Sequence, residues 1–362
     1  MNNAKLIPGH DSNDRLRVVL LSVGWPGRGE VGGAARYGFR LAESLATRVD
    51  LTVVTTDGGT PVPGASMVYL KEWSTRVGHY YGFPWHARRA IRRLEPDVVH
   101  AFGDDWALPR HIPVVRTFHG SSFEEARAST GMRRLNHYLL GALERWSRHR
   151  AAIAIAIAPP TMAEFHADHL MPPVSHIALR PAIPKTAQPS VVFLGGWRGR
   201  KRGERAYRAV QQASSQLGRD ITMTVIGNQA DAANWPADVR FRSGLTDAEV
   251  LDVIAESWLL LAPSSYEGFG IPVFESLALG VPAVATSNPG SDYLRREVAG
   301  DDAALRIVDD EDLPAAVCAA IEYNARVPAD VQARVSARVA EVTKRSSADY
   351  LVSEVYRSLF AG

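Results

Sequence analysis

The chain has 362 residues, 46% hydrophobic and 22% charged, which excludes a disordered or collagen-like chain and favours two domains over one. Its 41 basic and 39 acidic side chains leave a formal charge of +2, too balanced for a dedicated nucleic-acid binder. The one cysteine, Cys318, excludes an intramolecular disulfide and a CxxC zinc or redox site, and suits a reducing cytoplasm.

Residues 1–17 are polar and lack the apolar core of a signal peptide. Residues 16–22 carry the run RVVLLS, the pattern of a parallel strand buried on both faces. A glycine-rich loop follows, then a helical stretch at 35–46. Further strands are predicted at 51–55 (LTVVT), 97–101 (DVVHA) and 113–118 (PVVRTF), and an amphipathic helix at 134–149. The apolar run 151–158 has eight residues, against the ~20 of a membrane helix, and its Ile–Ala alternation predicts a strand. The protein is therefore expected to be cytoplasmic, and soluble or at most peripheral.

Pro172, Pro173, Pro181, Pro184 and Pro189 break both helix and sheet, and place a domain boundary after residue 183. The second half repeats the plan. Strands are predicted at 190–194, 222–226, 259–262 and 282–285, and helices at 203–216 and 246–256, the latter with Thr246 or Asp247 as N-cap. Residues 348–360 are helical by period, with Tyr350, Leu351, Val355 and Leu359 on one side. The expected fold class is α/β, two Rossmann-like doubly wound parallel-sheet domains with a ligand cleft outside the strand C-termini. Charge divides unevenly: 22 basic and 16 acidic side chains in residues 1–183, against 19 and 23 in the remainder. A basic half joined to an acidic half is a clue about partners.

The sharpest motif is Tyr266-Glu-Gly-Phe-Gly-Ile-Pro-Val-Phe-Glu275. Pro272 suits the first turn of a helix, Gly280 its C-terminal cap, and Pro282 ends it. Gly268 and Gly270 let the backbone approach a ligand, and the helix N-terminus offers free N–H groups to a phosphate. A carboxylate accepts hydrogen bonds from sugar hydroxyls, so Glu267 and Glu275 could hold two different sugars. The bland alternative is an acid favoured by the helix dipole plus an exposed glutamate. A second segment, 193–203, sets Arg198, Arg200, Lys201 and Arg202 among glycines between strand and helix, which suits a diphosphate; a solvated basic loop would read the same.

The string EGFGIPVFESLALGVPAVAT, with its E-x7-E pair Glu267 and Glu275, resembles the retaining GT-B glycosyltransferases of glycosyltransferase family 4 (group 1). The likeness runs over residues 18–356 and is strongest at 264–286. It implies a GT-B architecture: an acceptor-binding domain at 1–183 and a nucleotide-sugar-binding domain at 184–345, with residues 346–362 packing back on the first. It implies that Glu267 contacts the donor sugar, Glu275 the nucleotide ribose, and Gly268, Phe269 and Gly270 the sugar and diphosphate. Lys201 matches the cation that neutralises the leaving diphosphate; Gly196 stands where an arginine is usual and Arg202 where a glycine is usual, leaving the arginine role to Arg198 or Arg200. Gly32-Gly33 matches the first-domain glycine loop facing the donor, and His119, in Thr117-Phe-His-Gly120, the histidine near the reacting end of the sugar. His100 is a weaker candidate.

The resemblance implies sugar transfer from a nucleoside diphosphate sugar, as co-substrate, to a sugar, natural-product or lipid-linked acceptor. Configuration is retained and no metal or other cofactor is needed. No nucleic acid is an expected partner. Other readings stay open. Gly27, Gly29 and Gly32 satisfy GxGxxG and Asp57 ends the second strand, as in an NAD(P)-dependent oxidoreductase. A nucleotide-sugar epimerase or hydrolase of the same fold, and a non-catalytic sugar-nucleotide binder, are further alternatives. Asp310-Glu-Asp312 contains DxD but reads as a helix cap, and His166 and His169 as surface residues lacking a third ligand. The basic runs Arg88/Arg89, Arg92/Arg93 and Arg133, Arg134, Arg145, Arg148 and Arg150, beside Leu139, Leu140 and Trp146, read as a solvated face or as weak peripheral membrane contact.

Overall fold

Strands that are apolar on both faces need helices on both sides of a parallel sheet. The computed structural model contains two such sheets, and describes residues 15–27, 33–71, 78–127, 131–174, 183–323 and 327–361. Gly29 and Gly32 of the glycine loop, Pro181 of the proline break and the side chain of Arg133 lie outside the described residues. The chain forms two compact units, Met1–His176 with Lys344–Gly362, and Ile177–Thr343.

The first unit holds β1 (Arg17–Leu21), α1 (Gly33–Ala46), β2 (Asp50–Thr56), β3 (Ser66–Leu70), α2 (Phe83–Leu94), β4 (Val98–Ala101) and β5 (Val114–Phe118). It continues with α3 (Ser122–Arg127), α4 (Gly131–Arg150), β6 (Ile153–Ala156), α5 (Pro159–Phe165) and β7 (His169–Leu170). The strands are all parallel, in the order β3-β2-β1-β4-β5-β6-β7. Alternation in β1 shows why. Val18 and Leu20 pack with Tyr37, Leu41 and Leu45 of α1 on one face. Val19 and Leu21 pack with Phe83, Ala87 and Ile91 of α2 on the other.

The second unit holds β8 (Ser190–Leu194), α6 (Gly203–Leu217), β9 (Thr222–Ile226), β10 (Arg240–Arg242), α7 (Asp247–Glu256), β11 (Leu259–Ala262) and α8 (Ile271–Ala278). It ends with β12 (Ala283–Thr286), α9 (Pro289–Leu294), β13 (Leu305–Val308), α10 (Leu313–Glu322) and α11 (Ala329–Arg345). Its parallel order is β10-β9-β8-β11-β12-β13. Val191 and Phe193 of β8 pack against apolar faces of α6 and α10. Thr246 caps α7 in a reciprocal capping box with Glu249. Val281 N–H to Ser276 O and Gly280 N–H to Leu277 O close the end of α8, with Gly280 at φ +69°. Strand order reverses between β1 and β4 in one sheet and between β8 and β11 in the other. Those are the switch points where doubly wound sheets take ligands.

Two expectations are corrected. Residues 348–360 are not one regular helix: α12 (Ala348–Tyr350) passes into a π-helical turn, Leu351–Tyr356, and a 3₁₀ turn, Arg357–Leu359. Leu351 and Tyr356 lie five apart and are both buried; the wider turn brings both to one side. Asp312 occupies the N-cap of α10 but makes no capping bond, because its backbone is helical rather than extended.

His100 is a structural residue. Its Nδ1 lies 2.7 Å from the Tyr356 hydroxyl and its Nε2 2.7 Å from Thr117 Oγ1. Burial, with His119 and Arg116 nearby, pushes its pKa down to about 3. Unfolding restores an ordinary histidine, so the unfolded chain binds the extra proton between these values. Stability from His100 is complete above pH ~6.5 and falls toward pH ~3, by about 1.4 kcal/mol per pH unit. Asp104, pushed up to about 7 mainly by burial, acts in the opposite sense over part of that range. The contribution is therefore read as a difference. His100→Gln is expected to lower the slope of unfolding free energy against pH by about one proton between pH ~4 and ~6. Equal slopes in urea titrations of the two proteins would contradict the assignment.

Candidate active site

At the switch point of the second sheet, two loops leave adjacent strands. The β8–α6 loop carries the cations, and the β11–α8 loop carries Glu267 to Gly270. They meet directly: Ser265 N–H donates to Arg200 O (2.8 Å), and Lys201 Nζ lies 2.6 Å from Glu267 Oε1. Arg200 Nη1 stands 3.8 Å from Glu267 Oε2, more exposed than Lys201. Lys201, Glu267 and Gly270 line one small hollow with Ser264, Pro272 and Val273.

Glu267 is only 8% exposed, and Lys201 is the cation nearest to it. The loop that carries it is pinned from behind. Gly290 N–H donates to Glu267 O (2.9 Å), and a Cβ at Gly290 would lie 2.7 Å from the Phe269 carbonyl carbon and 3.0 Å from Glu267 O. Only glycine admits that approach without moving the loop. Asn288 Nδ2 donates to Ser264 O and holds the loop at its other end. Gly270 is the N-cap of α8 at φ +85°, and no side chain caps the helix. The backbone N–H groups of Ile271 and Val273 are thus presented at the positive end of the helix dipole. Glu275 lies further along α8 and is buried, not exposed as the bland alternative had it.

Arg198 and Arg202 have other surroundings. Arg198 lines a larger cavity of about 530 Å³ with Arg202, Arg205, Arg208 and Asp310. Arg202 sits at φ +56°, the left-handed backbone for which glycine is the usual residue. Its guanidinium donates to Pro263 O, Asp310 Oδ2 and Thr286 Oγ1, so it ties the basic loop to β12 and to the DxD segment. Asp310 thus serves as an anion for Arg202 and Arg205. Sequence reading missed Gly290, Asn288 and this role of Asp310. The contacts join residues distant in sequence, with no spacing to announce them.

In the first unit, Gly33 opens α1, directly after the glycine loop. His119 follows β5. Its ring is edge-on to Phe102 (centroids 5.1 Å) and to Tyr37 (5.8 Å). Both ring nitrogens are buried and make no hydrogen bond among the described residues. Burial first, and Arg116 second, push its pKa down to about 3. The ring is therefore neutral near pH 7 and offers one donor and one acceptor. Among the described residues no group of three or more His, Cys, Asp or Glu could hold a metal ion. Among the same residues no helix is long and apolar enough to cross a membrane.

The chain is similar to known proteins over most of its length. The family model described as Glycosyltransferase Family 4 matches residues 31–179, and that described as Glycosyl transferases group 1 matches residues 178–320. A 2-deoxystreptamine glucosyltransferase of Streptomyces kanamyceticus is 26% identical over 238 residues, covering 54% of this chain and 60% of that protein. A phosphatidyl-myo-inositol mannosyltransferase of Propionibacterium freudenreichii is 30% identical over 186 residues, covering 48% of this chain and 46% of that one. The chain thus spans about half the length of these curated relatives. Two solved structures share the fold. WaaG, a glycosyltransferase involved in lipopolysaccharide biosynthesis, has a TM-score of 0.67 at 17% identity, covering 95% of this chain and 100% of that one. A sucrose-phosphate synthase from Thermosynechococcus elongatus has a TM-score of 0.71 at 18% identity, covering 96% and 100%. Two parallel sheets with their site loops at the switch points, and two family models that together span residues 31–320, place the chain in the group 1 glycosyltransferases, with the GT-B fold.

Proposed function

We propose that the protein is a retaining glycosyltransferase that moves a hexosyl unit from a nucleoside diphosphate sugar to an acceptor hydroxyl. The observation that carries this reading is the Lys201–Glu267 pair beside the N-terminus of α8. A diphosphate sugar presents one partner for each member: phosphate oxygens for the ammonium, hydroxyls for the carboxylate. As the bond between C1 and the phosphate oxygen breaks, Lys201, Arg200 and the N–H groups of Ile271 and Val273 stabilise the charge on the diphosphate. The acceptor oxygen bonds to C1 on the same face, and its proton passes to the leaving phosphate. Glu267 positions the sugar and Glu275 the ribose; Gly268, Phe269 and Gly270 lie along the donor. His119, as a neutral ring, holds a hydroxyl next to the reacting carbon. This account invokes no metal or other cofactor.

The oxidoreductase reading is poorly supported. β1 ends at Leu21, well short of Gly27. The dinucleotide fingerprint needs its glycine turn at the strand end. The transfer reading is tested by incubating the chain with nucleotide sugars and a polyol panel and following C1 by NMR. The expected product carries the donor's anomeric configuration. Inverted product, a Glu267-linked sugar trapped in single turnover, or isomerised donor without transfer would contradict it.

The acceptor class includes sugars, natural products and lipid-linked glycans, and one surface supports contact with a membrane. On α4, Met132 (80% exposed), Leu135, Leu139 and Trp146 form one solvent-facing stripe at helical spacing. Arg134 and Arg145 flank it, while Arg148 and Arg150 are bound to backbone carbonyls below. A basic amphipathic face of this kind binds anionic lipid interfaces. Vesicles containing phosphatidylglycerol are expected to sediment the protein, those of phosphatidylcholine alone not. Leu139→Glu is expected to weaken the association by about tenfold or more. Equal sedimentation by both lipids, or by variant and wild type, would contradict this role.

A further inference from the structure

The first unit contains a second polar cavity, of about 160 Å³, that the donor site does not use. A single buried water needs roughly 15 Å³, so the space suits a small organic group. It opens at the loop leaving β4, on the switch point of the first sheet, and α4 forms its far wall. Its polar lining is unusual. Among the described residues, Asp104, Asp105 and Glu144 bring three carboxylates, against one guanidinium, Arg116.

Some of these groups are accounted for. Asp105 accepts from Ser147 Oγ and lies 3.4 Å from Arg116 Nη1. Glu144 accepts from Ser122 Oγ (2.6 Å) and Ser122 N–H (3.0 Å). Arg116 is only 6% exposed, yet its Nε and Nη1 make no hydrogen bond among the described residues. A buried guanidinium with unused donors asks for an oxygen acceptor. Asp104 sits at φ +56°, an uncommon backbone for a residue other than glycine, with its side chain lining the cavity. Phe102 lines the same cavity and touches His119, so a group held here lies one ring from the histidine.

We propose that this cavity anchors the acceptor, and that it selects a polyhydroxylated molecule bearing a protonated amine. The inference rests on the transferase reading for the word acceptor; the binding chemistry follows from the cavity alone. Arg116 donates to a hydroxyl or ring oxygen. Asp104 and Glu144 take the ammonium, whose charge offsets the excess of carboxylates. Burial raises the pKa of both Asp104 and Glu144 in spite of Arg116, and a second cation in the cavity favours their charged forms. A neutral polyol leaves that excess uncompensated, and an anion meets three carboxylates against one cation.

Calorimetric titration of the full chain with glucosamine, N-acetylglucosamine and glucose tests the proposal. Glucosamine is expected to bind about tenfold or more tightly than either neutral sugar. Asp104→Asn and Glu144→Gln are each expected to lower that affinity about tenfold. Asparagine tolerates the positive φ, and glutamine keeps an acceptor for Ser122. The comparison of the amine with its acetylated form needs no variant, so a folding defect cannot mask the answer. Equal affinities, no heat from glucosamine, or an amine preference unchanged in both variants would overturn it. Titrating UDP, GDP and ADP into the same samples separates the two readings. A diphosphate that binds while the amine does not removes the cavity proposal alone; the converse removes the transferase reading and leaves an amine site.

Discussion

Lys201→Ala is expected to lower kcat/KM by about 10²–10³-fold and to weaken nucleoside diphosphate binding in parallel. The ammonium lies 2.6 Å from Glu267 at the switch point of the second sheet, beside the N-terminus of α8. Its removal takes away a cation where charge develops in the transition state. It also leaves Glu267, 8% exposed, without its nearest partner. Breaking such a pair on one side destabilises, so a lower Tm accompanies the lost activity. The double variant Lys201→Ala, Glu267→Gln separates the effects. It is expected to recover most of the Tm but none of the nucleoside diphosphate affinity, to which Glu267 does not contribute. Recovery of that affinity along with Tm would mean that Lys201 acts only as a structural counter-ion.

His119→Ala is expected to lower kcat by about 10²–10⁴-fold, the range for a positioned side chain that handles a reacting group. Nucleoside diphosphate affinity is expected to stay at the wild-type level, because the Lys201 and Gly270 loops proposed to bind it belong to the other unit. Since burial pushes the ring down to about 3, His119 is neutral throughout the usual assay range. The wild-type profile of kcat against pH is therefore expected to show no limb from this residue between pH ~5 and ~8. A protonation step near 6.5 that disappears in His119→Ala would contradict the neutral ring, and an unchanged kcat would remove it from the reaction. Steady-state kinetics with calorimetry on the same samples reads both.

The fold was legible where one residue type does one job. RVVLL and SVVFL must be buried on both faces, and such runs identify the central strands β1 and β8. Edge strands were not legible: β7 has two residues and β10 reads RFR, too short and polar for a pattern. The C-terminal segment was misread as a regular helix because the widening turn answers to His100, far away in sequence. The site divides in the same way. Glu267, Gly270 and Pro272 lie on one strand–loop–helix unit, where local chemistry fixes the spacing. The basic loop after β8 was legible as a diphosphate candidate, and the family resemblance singled out Lys201 within it; the structure adds its pairing with Glu267. Arg202 looked like a spare phosphate ligand but is committed to Pro263, Asp310 and Thr286. The cavity of Asp104, Arg116 and Glu144 was invisible, since the loop after β4, β5 itself and α4 supply one residue each to a place only the sheet order creates.

Binding of a nucleoside diphosphate at the Lys201–Glu267 loops is tested by calorimetric titration of the protein with UDP, GDP, ADP and NAD, repeated on Lys201→Ala. Tight binding of one diphosphate, lost in the variant, is expected, with no heat from NAD. Binding of NAD alone, untouched by the substitution, would contradict it and return the glycine loop at Gly27 to the role of a dinucleotide site.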